Sequence, residues 1–305
     1  MTTYAYVAAF GDDALTIVDV TDPTNPTFKS VIRGGGAEPW LSQPYGVYML
    51  GDYVFVAAYG DDALVIINIS DPTNPTFAGV IRGGGAAPWL SHAYDVFVQG
   101  NFAYVVGNLD DSLSIINVTN PAAPVFTGVL RGAGAPNFLD SPRSVYVVGN
   151  YAYVTCDIEN RLVIINVTNP ALPVLASATG IAGAPYSVYV TGGLAYVARN
   201  ADSALSIYDV SNPLVPVFRG TIAGGGAEPW LANPNTVEVK GNYAYVSAVT
   251  DNSLVIIDVS DPTTPTFAGV IRGGGATPWL ATPCGIYVRP NIVSVVQTLP
   301  ATEIT

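Results

Sequence analysis

Residues 34–48 read GGGAEPWLSQPYGVY, and the chain comes back to this phrase again and again. It recurs as GGGAAPWLSHAYDVF at 83–97, GGGAEPWLANPNTVE at 224–238 and GGGATPWLATPCGIY at 273–287, with GAGAPNFLDSPRSVY at 132–146 as a looser copy. Between the copies runs an equally regular apolar stretch: LTIVDV from Leu15, LVIINI from Leu64, LSIINV from Leu113, LVIINV from Leu162, LSIYDV from Leu205 and LVIIDV from Leu254. The interval is 49 residues, except for 43 between Leu162 and Leu205. A fixed period of this length marks a repeat architecture. The chain therefore holds six units, with one connection shortened near 181–186.

Each unit contains four short apolar runs. In the second they are YGVYM (45–49), YVFVAA (53–58), LVIINI (64–69) and FAGVIRG (77–83). The separators LGD, YGDDA, SDPTNP and the glycine-rich phrase are turn chemistry. Four strands joined by tight turns make an antiparallel blade. Six blades around an axis make an all-β, six-bladed β-propeller, which leaves only short, protected edges. The first residues, TYAYVAA, match a second strand, and CGIYV (284–288) matches a first strand. The expectation is a ring closed by the C-terminal strand joining the N-terminal blade. The propeller then spans 1–290, and 291–305 is a tail. Its segment NIVSVV (291–296) resembles a surplus second strand that packs as a tail or adds to a neighbouring molecule's sheet.

Composition narrows the function. Half of the 305 residues are hydrophobic, 11% are charged, and the net charge is −12 with lysine only at positions 29 and 240. Such a surface repels polyphosphate, so nucleic acid is not an expected partner. No apolar run reaches 18 residues, so no membrane span is expected. MTTYAYVAAF has neither a basic n-region nor a long apolar h-region, so no signal peptide is expected in this chain.

LVIIN, LTIVD and LVIID, each followed by V(S/T)(D/N)P, resemble the LVIVD-repeat propellers of bacterial and archaeal surface proteins. The resemblance covers essentially the whole chain. It implies the architecture and a surface location, extracellular or on a particle, and says little about activity.

Antiparallel turns alternate between faces, so the YGDDA-type turns share a face with the glycine-rich connections. That face would carry aromatics at Trp40, Trp89, Phe138, Trp230 and Trp279, and carboxylates at Asp12, Asp61, Asp110, Glu159, Asp202 and Asp251. Rings beside acids suit a glycan, with ring faces on C–H groups and acids accepting from hydroxyls. The competing interpretation is architectural, with each tryptophan wedged between blades and each aspartate closing a turn.

Positions that break the repeat's own pattern are the other candidates. Tyr45, Tyr94, Asp95, Arg143, Tyr186 and Asn235 fall at the heads of first strands, the expected mouth of the channel, with Arg199 and Glu238 as odd charges in the fifth and sixth blades. Neighbouring odd charges suggest two inter-blade ion pairs, Arg199 with Glu238 and Asp95 with Arg143. His92 is the sole histidine, and no phosphate loop, nucleophile elbow or metal-ligand pattern occurs. No catalytic residue, metal or cofactor is expected. Cys156 and Cys284 lie too far apart around a ring for a disulfide. Asn68, Asn117 and Asn166 form sequons, but other blades place Asp in the same slot, which favours a turn role. The expectation is a non-enzymatic binding or scaffold propeller making protein or assembly contacts. The alternatives are a lectin-like use of the Trp/acid face and an enzyme with an axial site.

Overall fold

The computed structural model describes residues 2–22, 25–273, 283–289 and 292–297, the last two as backbone. It is a six-bladed β-propeller, all-β, with only a single 3-10 turn at Phe10–Asp12 among the described residues. The second blade shows the plan: Pro44–Leu50, Tyr53–Ala58, Ala63–Asn68 and Thr76–Arg82 form one antiparallel sheet in chain order. Sheets of the same order occupy 93–131, 142–180, 185–223 and 234–272. Contacts divide the chain into two compact units, one running to Val147 and including 167–174, the other of 148–166 and the chain from 175 onward.

The third strand explains the LVIIN signature. Its residues are buried on both faces, so strict alternation is replaced by a continuous apolar run. Within the first unit, Val65 and Ile67 pack with Leu15, Ile17 and Leu41, while Leu64 and Ile66 pack with Leu90, Val96 and Val105. Each blade thus contributes to two cores, one on each side. Asn68, Asn117, Asp19, Asp209 and Asp258 end their third strands by accepting the backbone N–H two residues on, at 2.9–3.0 Å. That Asx turn explains the sequon-like asparagines.

The outer strand carries a second joint. The slot read Ser30, Gly79, Gly128, Ser177 and Gly220 lies against the proline carbonyl of the next blade's NP turn. Ser30 and Ser177 donate their hydroxyls to Pro72 and Pro213, both at 2.6 Å. At Gly79 and Gly128 a Cβ would collide with the carbonyls of Pro121 and Pro170, and at Gly220 it would come within 2.6 Å of that of Pro262.

The C-terminal strand departs from expectation. Tyr4–Ala9, Ala14–Asp19 and Thr27–Arg33 form a three-stranded sheet, while Pro283–Arg289 pairs with Ile292–Gln297. The Pro283-to-Gly285 register shift repeats that of Pro185-to-Ser187 and Pro234-to-Thr236, so this hairpin copies the first two strands of a blade. Strands adjacent in sequence close a short loop at little entropic cost, which favours this hairpin. The segment expected to be a tail is a paired strand of its own chain.

The outer joint yields a prediction. Gly128→Val forces a side chain into the Pro170 carbonyl and should lower stability by about 1–3 kcal/mol in denaturant unfolding, whereas Gly180→Ala, with open space around it, should leave the midpoint unchanged. Equal midpoints for both variants would remove the steric account.

Candidate functional site

The glycine-rich connection is folded by its own residues. In 34–42, a Cβ on Gly34 would strike the Pro39 ring, and one on Gly35 would come within 2.8 Å of the Asp13 carboxylate. Gly36 has φ +70°, a left-handed backbone that glycine adopts without strain. Gly83, Gly84 and Gly85 repeat all three roles. Glu38–Pro39, Ala87–Pro88, Ala135–Pro136 and Glu228–Pro229 are cis peptides.

Carboxylates hold this connection from both sides. The N–H groups of Gly36 and Ser42 donate to Asp61 of the following blade, at 3.1 and 2.8 Å, and that of Gln43 donates to Asp13 of the preceding one at 2.8 Å. Gly85 and Ser91 donate likewise to Asp110, and His92 to Asp62. Gly226 and Ala232 donate to Asp251. Asp61, Asp110 and Asp251 are buried. The second residue of each DD-type pair was not singled out in the sequence, yet Asp111 and Asn160 also accept from Ser141 and Ala184.

The tryptophans are half-buried, and each described one has a guanidinium over its ring: Arg82 over Trp40 at 3.9 Å, Arg131 over Trp89 at 3.6 Å and Arg272 over Trp230 at 3.7 Å. Arg82 and Arg131 also donate Nε–H to the carbonyls of Asp61 and Asp110. Where the connection has Phe138, or at 181–185 has no residue in the tryptophan slot, the arginine slot reads Gly180 or Ala223. Tryptophan and arginine come and go together because each covers the other. Trp279 lies outside the described residues. Of the remaining acids, Asp12 is exposed, Glu159 lies 3.8 Å from Arg161, and Asp202 pairs with Arg199.

That last contact corrects an expectation. Arg199 also donates to Ser206 at 3.0 Å, and no ion pair joins it to Glu238 among the described residues. The six-residue deletion brings Gly183 against Asp202, so the carboxylate that caps the connection elsewhere meets the arginine of its own hairpin instead. Glu238 occupies the slot in which Tyr48, Phe97 and Tyr146 sit ring to ring at 4.7 Å. Burial pushes its carboxyl up to about 8.

The strand heads of the first unit form one cluster. Tyr45 stacks on Tyr94 at 4.2 Å, Phe10 meets Tyr45 edge-on at 5.2 Å, and Tyr59 stacks on His92 at 4.1 Å. Tyr59 lies 5.9 Å from Tyr45 and 6.3 Å from Tyr94, and Arg143 covers Tyr94 at 4.8 Å. Burial raises the Tyr94 hydroxyl well above the usual phenol range. Asp95 accepts N–H groups from Val96 at 2.8 Å and Val145 at 3.0 Å, and burial pushes it up to about 6. Ser187 accepts from Val237 in the same manner, so Asp95 serves as a strand-to-strand link. Tyr45, Tyr94 and Arg143 were legible as candidates; Phe10, Tyr59 and His92 were not grouped with them. In the second unit, the Tyr186 carbonyl accepts from Thr155 at 3.1 Å, and Asn235 approaches the Thr236 hydroxyl at 3.5 Å. Among the described residues no group of three metal-ligating side chains converges.

A family model described as LVIVD repeat matches six segments, 3–32, 45–82, 91–130, 141–179, 182–223 and 233–272. Similar solved structures include a Bacteroides fragilis protein provisionally assigned as a 6-phosphogluconolactonase, at 13% identity and TM-score 0.78 over 96% of this chain and 87% of that one. A Lactobacillus plantarum protein matches at 14% identity and TM-score 0.78 over 97% and 89%. The periplasmic gluconolactonase of Pseudomonas aeruginosa matches at 13% and 0.70 over 94% and 81%. These likenesses show the fold. No curated protein matches the sequence.

Two outcomes follow. Asp110→Ala leaves the N–H groups of Gly85 and Ser91 without their acceptor and should cost about 1–3 kcal/mol in denaturant unfolding; an unchanged midpoint would show that the clamp is dispensable. For Glu238, the folded value of about 8 lies above the ordinary 4.5. The folded chain therefore keeps a proton that the unfolded chain has lost, and stability falls as pH rises between those values, then levels. Glu238→Gln should remove that slope, raising the melting temperature relative to the native chain above about pH 8 but not near pH 4. Parallel curves for the two proteins would refute the assignment.

Proposed function

The chain belongs to the LVIVD-repeat family, and we propose that it is a non-enzymatic binding and scaffold propeller of a cell or particle surface, meeting a protein or glycan partner on its loop face. The observation that carries this reading is how that face is built. Asp61, Asp110 and Asp251 hold backbone N–H groups, and Arg82, Arg131 and Arg272 cover tryptophans. The charged groups that could do chemistry are engaged in holding loops. In the first unit, the loops that Asp61 and Asp110 hold stand beside the aromatic strand heads, a suitable mount for recognition.

The Trp/acid face is a weaker candidate than those strand heads. A sugar would have to displace a guanidinium from each tryptophan and two backbone donors from each buried acid. The lactonase assignments among similar structures suggest an enzyme as a second reading, but fold alone does not carry activity. The two are separated by one experiment. The full chain should hydrolyse 6-phosphogluconolactone and gluconolactone no faster than buffer does, while binding saturably on protein or glycan arrays. Lactone turnover that disappears in Arg143→Ala would overturn the binding reading.

A further inference from the structure

We propose that Phe10, Tyr45, Tyr59, His92 and Tyr94 form a carbohydrate-stacking site that takes a neutral pyranose unit. This rests on the binding reading above and names the ligand class of the strand-head cluster. The first argument is that the fold does not need these rings. At the slot of Tyr59, which Phe10 fills in the first blade, the third and fifth have Asn108 and Asn200; at the slot of His92 other blades have Ser141 and Asn233; at the slot of Tyr45 an aromatic recurs as Tyr94 and Tyr186, while the sixth has Asn235. At the first two slots the polar residues make the same joint with amides and hydroxyls. Asn108 donates to the Ser141 hydroxyl at 2.8 Å and to the Pro142 carbonyl at 3.1 Å, and Asn233 donates to the Asn200 carbonyl at 3.3 Å. Among the described residues, Tyr59 on His92 replaces a hydrogen-bonded joint with a stacked one at this position alone.

The second argument is exposure. Tyr45 is 36% exposed, and Phe10, Tyr59, His92 and Tyr94 are half-buried. Ring spacings of 4.1–6.5 Å make a patch that suits one or two sugar rings. A protein interface typically needs about 800 Å² from each partner.

The third argument is the chemistry of the rim. Tyrosine hydroxyls and the imidazole lie among the rings. The Ser42 hydroxyl and the Gln43 carbonyl oxygen crowd Gly60, where a Cβ would lie 2.7 and 3.2 Å from them. Tyr94 has Tyr45 stacked on it and Arg143 over it, so the faces left for C–H groups are those of Tyr45, Tyr59 and His92 turned away from their stacking partners, and with hydroxyl, amide and imidazole edges beside them they match a sugar. Charge argues against an ammonium ligand. Asp13, Asp61, Asp62 and Asp95 all accept backbone N–H groups, and the cation at the cluster is Arg143.

The test uses the full chain on a microarray of neutral and acidic glycans, with a protein array in parallel. The variants Tyr45→Asn, Tyr59→Asn and His92→Ser install residues that other blades accommodate at these slots, so the fold should persist, as circular dichroism and melting would check. Phe218→Ala, an exposed ring on the fifth blade, is the control. The expected result is saturable binding to neutral glycans, weakened at least about tenfold, or 1.4 kcal/mol, by Tyr45→Asn and Tyr59→Asn and unaffected by Phe218→Ala. Binding confined to acidic glycans, or indifferent to the three variants, overturns the proposal. Binding to arrayed protein alone, lost in the same variants, also overturns the sugar assignment while the binding reading stands. Binding to neither array removes both.

Discussion

The buried carboxylate at the tip of a hairpin governs the loop face. A connection opening on three glycines has many unfolded conformations, and ordering it is costly in backbone entropy. Asp61 supplies acceptors for two N–H groups of such a loop, and Asp13 fixes its far end from the previous blade. Asp61 is 5% exposed, so these charge-assisted bonds are little weakened by water. Once the loop is fixed, Trp40 is set at φ +59° with its ring beneath Arg82. At Asp61, Asp110 and Asp251 the clamp therefore links a blade to the connection before it and also sets the loop surface there.

The blade plan was legible because it is periodic. Leu64 to Ile67 recur in every unit, and a fully buried strand has no other way to be written than as a continuous apolar run. The turn residues were equally plain, since Asp71 and Asn120 each accept the N–H two residues on. Site chemistry was less legible for a physical reason. Its bonds join residues distant in sequence, such as Asp13 with Gln43 or Trp40 with Arg82, and nothing local in either stretch says which will meet. A comparison of repeats could have found the second pair, because arginine is missing where tryptophan is missing. Arg199 and Glu238 were paired by adjacency of blades, but local geometry decided otherwise: the shortened connection left Asp202 within reach of Arg199.

The fourth and fifth blades show what the clamp requires. When the connection loses six residues it loses its aromatic, its arginine partner at position 223 and the third glycine in one step. Asp202 then turns to Arg199, and the Asn160 side chain holds the loop through Ala184 beside backbone bonds from Asn200 and Ala201. These residues form one cooperative unit, and removing the spacer removes the reason for each of them. Changes that would look scattered along a single sequence are one structural event.

The same logic isolates the aromatic strand heads. Several departures from the repeat have a structural counterpart elsewhere in the molecule: Asp95 does what Ser187 does, Asn68 what Asp258 does, Ser30 what Gly79 does. Tyr59 and His92 do not fit this rule, because the joint they occupy is made in the third-to-fourth and fifth-to-sixth connections by smaller polar side chains. A repeat protein has six trials of the same design in one chain. Residues that architecture can replace but that remain large, aromatic and partly exposed on adjacent blades are those whose presence folding does not account for.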